Sequence, residues 1–203
     1  IVFGDWSSDV CSSDLTLHGV HLHGSHDVII GGDVPSGGLG NIISGNMQHG
    51  VLIDGLSENN QLIGNRIGVN AAGDAAVPNS GCGVLSEASG TLIDYDPDGF
   101  GARNIISGNT ECGVFIHSLG ADNNRIFGAF IGVAEDGAMP LPNGDYGVKV
   151  WGASQALIGE DEKGNVISGN GSGGILLLET SDAWVFGNII GVDYNGATAV
   201  PNG

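Results

Sequence analysis

Asp54, Glu87 and His117 each stand four residues beyond a glycine that opens the same short phrase: Gly50-Val51-Leu52-Ile53-Asp54, Gly83-Val84-Leu85-Ser86-Glu87 and Gly113-Val114-Phe115-Ile116-His117. If successive phrases stack as neighbouring strands, two carboxylates and an imidazole meet on one face, the set that general acid–base chemistry uses. Carboxylates on adjacent parallel strands would lie about 5 Å apart, nearer the spacing of retaining than of inverting glycoside hydrolysis. Lys149 falls on the same face, two residues after Gly147. Asp54, Glu87, His117 and Lys149 are therefore the candidate catalytic residues. Leu52, Leu85, Phe115 and Trp151 share the face. They are the candidate ligand-binding residues, because an apolar, aromatic strip that points outward implies contact, and rings can stack on the apolar faces of sugars.

Other groupings are less specific. His18, His21, His23 and His26 include a His-x-His pair that puts two rings on one strand face, but no third ligand lies nearby in sequence, and a surface strand explains them. The turns Val69–Asp74, Val133–Gly137 and Val192–Gly196 are acidic and could hold calcium loosely through oxygens, yet they match no defined calcium motif; Asp, Asn and Gly suffice as turn formers. No metal site is assigned, and no cofactor beyond that loose calcium option. Cys82 and Cys112 directly precede Gly83 and Gly113 and should stack. A spacing of about 4.8 Å between parallel strands admits either a buried free-thiol pair or a disulfide. Two thiols without further ligands do not make a metal site.

These residues are positioned by a repeat. Asn41-Ile42-Ile43-Ser44-Gly45-Asn46 recurs as 104–109 and as Asn165-Val166-Ile167-Ser168-Gly169-Asn170, and between the copies Ile-Gly-Val runs lead to Pro78-Asn79, Pro142-Asn143 and Pro201-Asn202. The glycine-led phrases at 19, 50, 83, 113, 147 and 174 cut the chain into coils of 27 residues (Gly147 to Gly174) to 34 (Gly113 to Gly147). Fixed periods of this kind mean a stacked array. Between phrases lie further short β-branched runs, so each coil holds about three strands, and no segment keeps an apolar pattern at the helical period. Glycine accounts for 38 of 203 residues without a collagen period, which points to corners that need positive φ. Asn46, Asn109 and Asn170 are expected to stack in a hydrogen-bonded ladder. The asparagine ladder should break at Gly128-Ala129-Phe130, where the other copies read Gly64-Asn65-Arg66 and Gly187-Asn188-Ile189.

The alternation of the NIISGN…GV phrase with the NxIxGNxIGV…PN phrase resembles the right-handed parallel β-helix repeats of large secreted or surface-exposed bacterial proteins, in the pectin-lyase-like superfold. The resemblance runs from about Leu17 to the last residue. It implies an all-β, right-handed parallel β-helix of about six coils of three short strands. Because that superfold hosts lyases, hydrolases, adhesins and passive stalks, it implies no single activity. Its polysaccharide lyases place acidic calcium ligands and a basic residue on one strand face; here Arg66 and Arg125 fall in second-strand regions and Arg103 in a turn, leaving Lys149 alone for the basic role. The expected function is a structural or binding region with carbohydrate contact along the phrase-bearing face, and the alternative is a polysaccharide lyase or glycoside hydrolase.

Residues 5–15, Asp5 to Leu15, fit no coil and resemble the translation of a sequencing-library adapter. The solenoid is therefore read as 16–203, cut at both ends, with neighbouring coils or domains of a longer protein as its partners. A formal charge of −18, from 23 acidic against five basic residues, repels nucleic acid. No apolar run reaches the length of a membrane span. Abundant Gly, Asn and Ser suit a secreted or cell-surface protein, whose partner would be a polysaccharide or a surface protein.

Overall fold

The computed structural model describes residues 17–32, 40–94 and 103–203. The adapter-like segment lies outside them. Over the described residues the chain is an all-β solenoid of three parallel six-stranded sheets, to each of which every coil gives one strand. No helix occurs among the described residues, and so none is long and apolar enough to cross a membrane.

The glycine-led phrases build the first sheet, from Val20–Leu22, Val51–Ile53, Val84–Ser86, Val114–His117, Tyr146–Trp151 and Gly173–Leu178. Its register aligns the valines of the phrase, Val51 with Val84, Val84 with Val114 and Val114 with Val148, and all four are completely buried. The second sheet runs from Ile29–Gly31 to Trp184–Val185 and the third from Ile42–Ile43 to Ile189–Ile190. Arg125 lies in the second sheet, but Arg66 belongs to the third, because the two-residue turn Gly64–Asn65 separates it from Gln61–Ile63. Ile53, Leu62, Ile67 and their stacked equivalents fill the interior, each contributing about 1.5–3 kcal/mol by burial. Ser86 interrupts an apolar column, and its hydroxyl is satisfied by Thr91 Oγ1 at 2.8 Å.

The glycine of the phrase is required by close approach, not by positive φ. A Cβ on Gly113 would lie 2.6 Å from the Gly147 carbonyl oxygen, 2.7 Å from an Ile131 methyl and 2.9 Å from the Asn143 amide, and Gly50, Gly83 and Gly147 are equally confined. Positive φ is needed elsewhere, as at Gly68 (φ 85°) and Gly132 (φ 88°) in the Ile-Gly-Val runs.

Beside these glycines runs the expected asparagine ladder, but it is denser than the NIISGN copies alone. Asn46, Asn79, Asn109, Asn143, Asn170 and Asn202 form one continuous column, each Nδ2 donating to the next Oδ1 at 2.7–3.0 Å. The two phrases thus place their asparagines at the same corner of alternate coils, and the sixty-residue repeat spans two coils. The second ladder, Asn41–Asn65–Asn104, is interrupted at Ala129, which supplies only its backbone N–H to Asn165 Oδ1 before the column resumes with Asn188.

The acidic turns close short arms, bridged at Val69–Ala76, Val133–Pro140 and Val192–Ala199. The arms fold over the outer side of the third sheet, where Val69, Ile105, Phe130, Val133, Val166 and Val200 make a second apolar cluster.

Candidate functional site

The outer side of the first sheet carries the residues singled out by sequence. Register aligns His21 with Leu52, Leu52 with Leu85, Leu85 with Phe115 and Phe115 with Lys149, while His117 pairs with Trp151. Alternation along each strand buries Val51 and Ile53 and leaves Leu52 and Asp54 half-buried, as the strand period requires. Leu85, Phe115 and Lys149 are also half-buried, and Trp151 is 39% exposed.

At the centre of the strip Glu87 Oε1 lies 3.7 Å from His117 Nδ1, and the His117 ring stands 5.3 Å from Trp151 and 5.1 Å from Phe115. Trp151 Nε1 donates to Glu179 at 3.1 Å. The ammonium of Lys149 lies 5.0 Å from the Phe115 ring centre and 3.6 Å from Asp145, which sits four residues earlier. Asp54 turns the other way: it bonds the His23 ring, lies 3.8 Å from His21, and accepts from the Gly24 and Leu56 amides and the Ser57 hydroxyl. Burial alone would raise its pKa, but these hydrogen bonds outweigh it and hold the carboxyl below its ordinary value. Of the four candidate catalytic residues the fold brings Glu87 and His117 together, ties Asp54 to the preceding coil and engages Lys149 with Asp145 and Phe115. The four candidate binding residues lie on one strip.

The acidic turns use their oxygens locally. Asn70 Oδ1 accepts the Asp74 amide, Asp136 Oδ1 accepts those of Ala138 and Met139, and Asp193 Oδ1 accepts those of Ala197 and Thr198.

Two arrangements escaped the sequence reading. On the outer side of the third sheet, a cleft of about 360 Å³ is lined by Arg66, Arg103, Phe130, Glu135 and Tyr194. Arg66 Nη2 bonds both Glu135 oxygens at 2.7 Å, and the Arg103 guanidinium lies about 5 Å from the Phe130 and Tyr194 rings. Glu135 comes from the arm of a later coil, so nothing local signals the pair. The other is the extension of the expected Cys82–Cys112 stack by His18 and His49, which stand just before the glycine of the phrase in the two preceding coils. His18 and His49 stack at 5.3 Å and nearly parallel, and both thiols are buried and free. Burial, aided for His18 by the neighbouring rings, lowers the pKa of both histidines, against the opposing pull of Glu111 and Glu87 at His49. The Cys112 thiol and burial push the Cys82 thiol up. The signal was present, since the residue before each such glycine could have been read as a column of its own.

No protein-family model matches the chain, and comparison with curated proteins and with solved structures finds no match either.

Proposed function

We propose that this solenoid is a structural and ligand-binding region of an exported bacterial protein, secreted or held at the cell surface, and that the outer strip of its first sheet binds carbohydrate. The observation that carries this reading is the juxtaposition of Phe115, His117 and Trp151 with Glu87 and Glu179. Rings flanked by carboxylates offer a sugar an apolar face and hydroxyl partners at once. The acidic charge directs the choice of ligand toward neutral rather than polyanionic chains, and excludes a nucleic-acid partner by repulsion. Other coils or domains of a longer protein fit the same role of scaffold, and the β-helix resemblance to pectin-lyase-like proteins accords with it. Calcium is at most accessory in this reading.

A second reading, a polysaccharide lyase or glycoside hydrolase, is favoured by the Glu87–His117 contact alone. It would have to work without Asp54 and Lys149 as free acid–base groups, since both are engaged with neighbours.

The test is binding of the purified chain to immobilised neutral and acidic polysaccharides, with and without calcium. A Trp side chain presents about 250 Å², of which the exposed 39% leaves about 100 Å²; covering half of that with one sugar face is worth about 1.2 kcal/mol. Trp151→Ala should therefore weaken binding roughly eightfold, with Glu87→Gln abolishing turnover if the second reading holds. A folded chain that binds no polysaccharide, or binds one equally well after Trp151→Ala, overturns the proposal.

A further inference from the structure

Cys82 and its surroundings are built from three consecutive coils. Cys82 is 1% exposed and its Sγ stands 3.6 Å from Glu111 Oε2, while the imidazole of His49 reaches the same place from the preceding coil. One ligand atom from each of His49, Cys82 and Glu111 falls within 4.8 Å of the other two. The ring is given room by Gly81, where a Cβ would meet His49 Nδ1 at 2.5 Å.

We propose that His49, Cys82 and Glu111 bind a thiophilic divalent transition metal, zinc by chemistry, with a fourth position open to water. Zn–S of about 2.3 Å and Zn–O of about 2.1 Å at a tetrahedral angle separate the two ligand atoms by about 3.6 Å, which is the separation of Cys82 Sγ and Glu111 Oε2. The set mixes thiolate, imidazole and carboxylate, a combination that selects zinc over the oxygen-seeking magnesium and calcium. Glu111 is exposed, so the open position faces solvent. Binding replaces the thiol proton by the metal and releases that proton to solvent.

One contact must change. Cys82 N–H donates to His49 Nδ1 at 3.0 Å. Coordination through Nδ1 takes that acceptor away, and coordination through Nε2 forces the proton onto Nδ1, so either mode leaves the amide without it. That loss is small beside the affinity of zinc for a site containing a thiolate. Cys112, paired with Asp145 at 3.4 Å, stays outside the set. A second cluster, His21, His23 and Asp54, lacks sulfur and is a weaker competitor that the experiment must remove.

The experiment uses the full chain with Cys11→Ser and His23→Ala, so that neither the thiol outside the described residues nor the histidine cluster contributes. Titration with Co²⁺ should give a thiolate-to-cobalt charge-transfer band that saturates and is displaced by Zn²⁺. Glu111→Gln changes an exposed side chain and leaves folding intact; it should weaken Zn²⁺ binding at least about tenfold. Cys82→Ser should abolish the band, and Cys112→Ser should retain it. Absence of the band, its persistence after Cys82→Ser, or unchanged affinity in Glu111→Gln each overturns the site, leaving Cys82 as a thiol that hydrogen-bonds a carboxylate.

Discussion

Replacing Asn109 by alanine tests whether the asparagine ladder or the apolar interior holds the coils in register. Asn109 is 1% exposed and accepts Asn79 Nδ2 at 2.9 Å, donates to Asn143 Oδ1 at 2.9 Å, and makes two longer bonds of 3.3 Å to the Ile67 and Ser107 carbonyls. Truncation removes the two short bonds, at about 1 kcal/mol each. The partners are not left equal. Asn143 Oδ1 keeps the Asn109 backbone N–H at 3.1 Å, but Asn79 Nδ2 retains only the Ile43 carbonyl and so buries one unpaired N–H, which costs a further 1–3 kcal/mol or so. The expected loss is about 3–5 kcal/mol. Asn109→Asp should be at least as damaging, because it sets carboxylate oxygen against Asn143 Oδ1 where a donor stood. Urea unfolding measures the total, and hydrogen exchange should show lost protection concentrated in the coils carrying Asn79 and Asn143, since a solenoid coil is stabilised by its neighbours. Asn70→Ala, which removes an acceptor from a surface turn, serves as the control, with a loss below about 1 kcal/mol. A loss under about 1 kcal/mol for Asn109→Ala, or one equal to the control, would refute the ladder argument.

Gly113→Ala should destabilise by more than about 2 kcal/mol, since its methyl would meet backbone oxygen of the next coil and neither can yield without parting the strands; thermal unfolding measures it. For Asp54, the folded pKa lies below the ordinary 3.8, so its ionised form adds stability that is complete above that value and drains away as pH falls through the lowered one. Asp54→Asn should flatten that acid limb in urea midpoints measured from neutrality down to about pH 2; an unchanged limb would show the hydrogen bonds to be inconsequential.

The architecture was legible because it is written in two short phrases whose physics is local. Glycine before valine marks the place where the next coil's backbone presses in, and Ile-Ile or Ile-Gly-Val marks a strand end at a corner. Ala129 was readable for the same reason: one missing amide breaks one rung of a column. The merging of two phrases into a single ladder was not legible, because Asn46 and Asn79 lie in unlike sequence surroundings and become equivalent only when the coils close. The arms over the third sheet were read as turns alone. Val69 and Val133 do recur, as the last residue of Ile-Gly-Val runs, but nothing local says that an arm folds them over the sheet beside Ile105, Phe130 and Val166.

Side-chain pairing along a column was beyond the sequence for a different reason. A residue on one coil has a neighbour above and a neighbour below at equal distance, and register does not say which it will choose. Asp54 lies between His23 and Glu87 in its column; a like charge on one side and a ring nitrogen on the other make the choice, together with the Gly24 and Leu56 amides that the turn happens to present. That choice leaves Glu87 free to approach His117, and it converts an expected carboxylate pair into two separate carboxylate–histidine contacts. Each contact combines one residue from each of two coils about thirty positions apart, and the His49–Cys82–Glu111 set takes three. In such a fold a functional site has no motif in the ordinary sense. It is read down the columns, one residue per coil.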